Sequence, residues 1–511
     1  MFELLNKTIV VLLIVAGFVC GISYASNEAL IEDVVVTGVY SPQTALTSTV
    51  SVLDAEQIAL RNKRSINDLL KTVPGLLIEQ QGGAGGLSAV SIRGAESNFT
   101  LVLNDGVSVN DPTNFRGGGF DFANLNSSLV ERIEVVRGAQ STIYGSAALA
   151  GVINIITRKP GNGHNQEIVA EVGEDKFSSF RFSALGKLGE LDYAVELASR
   201  DGGDAVAGST RTNDSANLRI GWQITENQRM TATYRVLDGD RTSYPEQSGG
   251  PVFALIDALD ESDYSDQLAA ISWESQHSEN MRSRFSATWF THQEDYTSPG
   301  IAPFFEVPPN TADTRFQRNL LQWTNTLQFS GGYRLDIGAD YRDESGKSAG
   351  SLDFFGFLIP TDFKLDRGTT GLFASLSASP GDRLLLQGSA RYDDADGFDK
   401  ESSFAIGASY DLKPGMTVSA NWGEAFKLPS FFALGHALVG NAELRPERAT
   451  NWDLGITWER DEKFHLDATY FSNEFNDLVD FDPDEFRNIN RKNIETSGIE
   501  LQVVWQPHHK N

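Results

Sequence analysis

The side chains best equipped for chemistry in this 511-residue chain are arginines, carboxylates and aromatic rings gathered in a few short stretches. Arg93-Gly94 and Arg137-Gly138 each place a guanidinium directly before a residue that can turn the backbone sharply. The stretch NDPTNFRGGGFDFANLN collects Asn110, Asp111, Asn114, Phe115, Arg116, Phe120 and Phe122 in one glycine-rich loop. An arginine among aromatics suits a phosphate, a carboxylate or the edge of a large planar ring. An ordinary surface loop carries the same Asn, Asp and Gly, so the pattern alone leaves both readings open. Asp201, Asp204, Asp238 and Asp240, in SRDGGDAVAG and DGDRTSYPEQ, offer the several oxygens that calcium requires, against the simpler reading of solvated surface carboxylates. The run DFDPDEF fails as an EF-hand loop, because Glu485 and Arg491 stand where glycine and glutamate are needed. No complete phosphate loop ending in Gly-Lys-Ser/Thr and no His-Glu-x-x-His pair occurs, and no nucleophile elbow of the Gly-x-Ser-x-Gly kind is expected. The chemistry is that of binding: the chain is not expected to be an enzyme or to require a cofactor.

The elements that would position these residues come in two kinds. From residue 48 to 160 the sequence mixes strands, short helices and glycine turns, the makings of one α+β domain. Asp54 with Gln57 three positions on, and Ser65 with Asp68, are helix-start signals, and Pro74-Gly75 stops the second helix. From residue 161 to 511 segments of eight to twelve residues alternate strictly. In YRLDIGADYR the residues Tyr333, Leu335, Ile337, Ala339 and Tyr341 face one way, with Arg334, Asp336, Gly338, Asp340 and Arg342 opposed. Length, aromatic ends and a rhythm of short turns (SPGD, SGGY) and long polar loops (Gly239 to Ser265, Thr297 to Asp313) predict a transmembrane antiparallel β-barrel rather than a soluble sheet.

Residues 1–25, with Lys7 ahead of an apolar run and Ser23-Tyr24-Ala25 at its end, read as a cleaved secretory signal. A lipid anchor at Cys20 is disfavoured by the bulk of Val19. Cys20 is the one cysteine, so an exported chain without disulfides must rest on hydrogen-bonded framework. The net charge of -27 repels phosphate backbones and excludes nucleic acid as a partner. IEDVVVTGVYSP, Ile31 to Pro42, is a β-branched extended segment with no sequence neighbour to pair with. Unpaired strand edges are templates for strand addition. Docking as a first strand of the following domain is the alternative.

These stretches resemble TonB-dependent outer-membrane receptors. The resemblance runs through NDLLKTVPGLLI, QQGGAGGLSAVSIRGAESNFTLVLNDGVSVN and VERIEVVRGAQSTIYGSAALAGVINIIT, a plug most similar to the cobalamin receptors. It continues in NWGEAFKLPSFFALG and GNAELRPERATNWDLGI of the barrel. It implies that Glu32, Asp33, Val34, Val35, Val36, Thr37 and Gly38 form a TonB box, with residues 26–47 as box and linker, gripped by the periplasmic TonB protein. It further implies a plug–barrel lock of Arg93 and Arg137 with Glu424, Glu447 and Asp453, the alternative being that the two arginines only satisfy local turns inside the plug, and ligand contacts at the 110–122 loop. The four aspartates lie where cobalamin receptors place calcium-organising loops. The implied cargo is cobalamin or, alternatively, a ferric siderophore, carried by a monomer embedded in outer-membrane lipid. A passive structural or adhesive barrel is the rival from another class. Roughly 17 segments can be counted against the about 22 strands of a barrel that needs a plug, so the barrel is expected to be truncated at its C-terminus.

Overall fold

A computed structural model describes residues 49–505 apart from 62–64, 126–129, 162, 247, 256–257, 302–306, 461–462 and 492. The signal segment, the TonB box Glu32–Gly38 and the linker up to residue 47 therefore lie outside the described residues.

The first domain holds β1 (Val50–Leu53), β2 (Leu76–Gln80), β3 (Ser88–Ile92), β4 (Thr100–Asn104), β5 (Val107–Ser108), β6 (Val130–Arg137) and β7 (Gly151–Thr157). A mixed sheet runs in the order β1-β6-β7-β4-β5, with β4 and β7 parallel, and β2-β3 form a separate hairpin. Its helices begin where the sequence signals stand. Asp54 Oδ1 accepts from Gln57 N ahead of α1 (Ala55–Arg61), and Ser65 Oγ accepts from Asp68 N ahead of α2 (Ile66–Leu70). Such caps are worth ~1 kcal/mol each. Ile66, Leu69, Val90, Ile92, Ile133 and Ile153 form the centre of the core. Complete burial of a side chain of this size contributes about 1.5–3 kcal/mol.

Around this domain curl β8 (Asn165–Val172), β9 (Ser178–Leu188), β10 (Leu191–Asp201), β11 (Thr210–Thr225), β12 (Gln228–Ser243), β13 (Asp260–Ser278), β14 (Met281–Ser298), β15 (Asn310–Phe329) and β16 (Tyr333–Phe354). There follow the short β17 (Phe357–Pro360), then β18 (Phe363–Ala378), β19 (Leu384–Ala395), β20 (Glu401–Lys413), β21 (Met416–Lys427), β22 (Glu447–Arg460) and β23 (Phe464–Asn476). A small outer hairpin, β24 (Leu478–Asp482) with β25 (Arg487–Arg491), precedes β26 (Ile494–Trp505). Antiparallel neighbours follow chain order from β8 to β26, with β17 folded back on β16, and the ring order returns from β26 to β8. Residue-by-residue pairing runs through every junction from β8-β9 to β23-β26. Among the described residues no register is defined between β26 and β8.

Alternation sorts the faces as a bilayer requires. Tyr341, Ile406, Leu454 and Ile499 point outward and are exposed, while Asp336, Asp340, Arg391 and Asp393 point inward and are buried. The strands are longer than the expected eight to twelve residues: β16 has 22. The loop expected from Gly239 to Ser265 shrinks to 244–259, and that from Thr297 to Asp313 to 299–309. The ladder continues above the apolar band, where both faces meet water and hydrophobic alternation is no longer needed.

Candidate functional site: plug anchor and outer cleft

Arg93 and Arg137 converge on one barrel carboxylate. Arg93 Nε and Nη2 donate to Glu500 Oε1 and Oε2 at 2.9 and 3.1 Å, a fork-to-fork pair, and Arg137 Nε lies 3.4 Å from Glu500 Oε2. Arg93 Nη1 stands 3.6 Å from Asp453 Oδ2, and its guanidinium lies 4.7 Å from the centre of the Phe471 ring. All four charged side chains are buried. The backbone makes the approach possible, since Arg93 and Gly94 both take the left-handed conformation (φ 54° and 75°). Arg137 is also tied to the start of the domain: its Nη1 and Nη2 donate to Ser51 Oγ at 3.0 and 2.9 Å, and Nη1 to Pro74 O at 3.0 Å. Burial pulls the Arg137 pKa below the ordinary guanidinium value, and the charge on Glu500 opposes that pull.

Two expected partners are elsewhere. Glu424 lies on the strand face opposite Gly423 and Ala425, which are buried against the plug side, so the pleat turns it away from the lumen. Glu447 is buried but accepts from Lys427 Nζ at 2.5 Å and from Val479 N at 3.0 Å, stabilising the outer end of β21 and β22. Glu500, which does the work expected of them, was visible only as the inward residue between Ile499 and Leu501 in the last alternating segment.

At the outer end of the lumen the loop from 109 to 124 faces β11 to β14 across a partly enclosed cleft. Asp111, Arg116, Phe120 and Asp121 line the plug side, with Arg241, Tyr264, Asp266, His292 and Glu294 on the barrel side. Every cation here has an anion close by. Arg211 Nη2 donates to Asp121 Oδ2 at 3.0 Å, Arg241 Nη2 to Glu294 Oε1 at 3.3 Å, and His292 Nδ1 sits 2.6 Å from Asp266 Oδ1. His292 Nε2 also lies 3.9 Å from Asp111 Oδ2. Burial raises the Asp111 carboxyl above its ordinary range, against the pull of His292 and of the Thr113 hydrogen bonds. Arg116 Nε is buried without a hydrogen-bond partner.

The other residues of that loop divide. Phe115 is exposed, but Phe122 is only 2% exposed and packs edge-on to Phe120 at 5.2 Å, so it belongs to the core. Asn110 is consumed internally: Oδ1 accepts from Val102 N, and Nδ2 donates to Thr100 O and Gly118 O. Asn114 likewise shapes the turn, accepting from Arg116 N and Gly118 N and donating to Gly119 O. Sequence reasoning missed Arg211, which grips the glycine-rich apex by donating to Ala84 O, Gly85 O and Gly86 O at 3.1, 3.3 and 3.1 Å.

Of the four candidate calcium ligands, Asp238 and Asp240 lie on β12, Asp201 ends β10 and Asp204 follows it. Asp240 accepts from Thr212 Oγ1, Asp201 from Gly203 N, and Asp204 pairs with Lys176. No group of three or more metal-ligating side chains suited to a metal ion occurs among the described residues. The letters Gly-x-Ser-x-Gly do occur, at Gly346 to Gly350, contrary to expectation. Ser348 is a mid-strand residue of β16 paired to Thr314 and Phe363, not the turn a nucleophile elbow requires.

A barrel whose lumen holds a separately folded domain, locked to its wall by buried ion pairs, defines the class: a stoppered β-barrel. The family model described as "TonB dependent receptor-like, beta-barrel" matches residues 192–507, and the "TonB-dependent Receptor Plug Domain" matches 42–152. The chain belongs to the TonB-dependent receptor family. It is 29% identical over 455 residues to "Vitamin B12 transporter BtuB" of Vibrio vulnificus, covering 86% of this chain and 69% of that protein. Its fold is similar to the siderophore receptor PiuA from Acinetobacter baumannii (TM-score 0.74, 17% identity, 91% of this chain and 77% of that one). It is also similar to the ferric yersiniabactin uptake receptor FyuA from Yersinia pestis (TM-score 0.73, 17% identity, 91% and 77%).

Proposed function

We propose that the chain imports a large, scarce ligand across the outer membrane, drawing energy from TonB through Glu32–Gly38, and that the ligand is cobalamin. The observation that carries the cargo is the charge balance of the outer cleft. Arg116, Arg211, Arg241 and His292 stand among Asp111, Asp121, Asp266 and Glu294, four groups against four, which leaves no net positive field to receive a polyanionic iron chelate. The overall charge of -27 repels such a chelate at longer range as well. A neutral corrinoid fringed by amides suits the same cleft: the Arg116 guanidinium can donate to an amide carbonyl, and Phe120 and Tyr264 offer apolar faces, with Phe115 exposed on the same loop. The similarity to a vitamin B12 transporter supports this reading. A ferric siderophore is the second reading, favoured by the likeness of fold to siderophore receptors.

The test is uptake of labelled cyanocobalamin against ferric siderophores by cells that depend on this chain. Cobalamin uptake that vanishes without TonB is the expected result; uptake of ferric chelates alone rejects the cargo, and uptake indifferent to TonB points to a passive barrel. In the same assay Val35→Pro should abolish uptake while leaving binding unchanged, because proline removes a backbone donor from the strand that TonB would pair with.

A further inference from the structure

We propose that cargo passes between plug and barrel along the wall formed by β19 to β22, opened when the plug segment Gly138–Ile143 leaves that wall. The inference rests on the transport function proposed above. Three observations lead to it. First, plug and barrel leave space here: a cavity lies between Ala139 and Gln140 on one side and Gln387, Ser389, Asn421 and Asn451 on the other. The wall residues between them are small, Ala405, Gly407 and Gly423, so nothing bulky need be displaced.

Second, the segment brings no charge of its own to the wall, so no ion pair can anchor it. Ser141 Oγ exchanges hydrogen bonds with the backbone of Phe426 at 3.3 and 3.2 Å, Ser389 Oγ donates to Thr142 Oγ1 at 3.0 Å, and Arg391 reaches Ile143 O only at 3.4 Å. By contrast the glycine-rich apex on the far side is clamped by Arg211 through three carbonyls, with Asp121 held by the same guanidinium.

Third, a pull on the leading segment arrives here. It enters the described fold at Thr49 and β1, an edge strand of four residues paired with β6 alone. Thr49 O accepts from Arg137 N, Thr49 Oγ1 donates to Asp453, and Ser51 Oγ accepts from the Arg137 guanidinium. Peeling β1 strips Arg137 of these partners, and the next residue, Gly138 at φ 95°, is a ready hinge for the uncharged segment behind it.

The experiment compares two engineered disulfides in a Cys20→Ser background, the chain having no other cysteine. A Cβ on Gly423 would lie 3.3 Å from Ala139 Cβ, and one on Gly202 would lie 2.9 Å from Ala84 Cβ. Both are near the about 3.5–4.5 Å of a disulfide, the second needing a small loop shift. Oxidised Ala139→Cys/Gly423→Cys should bind labelled cyanocobalamin yet take up none above background, with uptake restored by reduction. Oxidised Ala84→Cys/Gly202→Cys, compared with its own reduced form so that any effect of the two substitutions on binding cancels, should transport as well as that reduced form. If both staples block, the whole plug moves and the proposal is wrong; if the first transports, the passage lies elsewhere. As a measurement that needs no staple, Ser389→Cys should react faster with a thiol reagent during uptake than in the Val35→Pro chain, and equal rates would overturn the proposal. An unmodified chain that takes up no cargo rejects the transport function itself, and the passage with it.

Discussion

Glu500 carries two plug arginines on one buried carboxylate, which makes it the residue whose loss should be felt most. Removing one partner of a buried pair leaves the other charge uncompensated and costs roughly 3–5 kcal/mol. Glu500→Gln should therefore release the plug at lower urea concentration, read as protease cleavage within residues 48–160 while the barrel stays folded. Glu447→Gln should lower that midpoint less, since its partner Lys427 belongs to the barrel wall and touches the plug only at the Phe99 ring, while Arg93 and Arg137 do not depend on it; equal effects would mean that Glu500 is not the anchor. The arginines of this anchor were legible through the resemblance to TonB-dependent receptors, carried by the Arg93-Gly94 and Arg137-Gly138 pairs. Their partner could not, because Arg93 and Glu500 are 407 positions apart and an acidic chain offers many candidates. Glu424 shows the reason in miniature: one residue of strand phase separates it from the lumen-facing Gly423.

Among elements, the glycine-rich apex at residues 82–86 is the least forgiving. A Cβ on Gly85 would lie 1.8 Å from Thr242 O and 2.4 Å from Thr210 O, both barrel backbone atoms that cannot step aside. Gly85→Ala should displace the apex from Arg211 and weaken cyanocobalamin binding, with a wild-type Kd in an equilibrium titration as the contrary result. Helix starts at Asp54 and Ser65 were legible because a cap is a local arrangement, complete within four residues. The outer halves of β12 to β16 were not, because strand pairing there is enforced by a neighbour in space and leaves no apolar pattern behind. For the same reason Asn110 and Asn114 resembled ligand contacts: an amide spent on its own loop and an amide offered to a guest are spelled alike.

For the whole molecule, the outward apolar face predicts a membrane band. Ile406, 62% exposed on the outer face of β20, should tolerate valine, while Ile406→Arg should cost about 2–4 kcal/mol if the site lies near the bilayer centre. Reversible unfolding in lipid vesicles measures it, and an arginine without cost would place that face in water. The class of fold was legible at this scale because alternation repeated over hundreds of residues is a signal no single misread loop can erase.

The strands do not all rise equally. β15 and β16 have 20 and 22 residues against 12 each for β19 and β21, a difference that lifts one side of the mouth by roughly 20 Å at ordinary strand rise and tilt. The entrance is thus cut obliquely, like a scoop. A bulky guest drifting in over the low strands meets the tall arc from β13 to β16 as a wall along one side of the mouth.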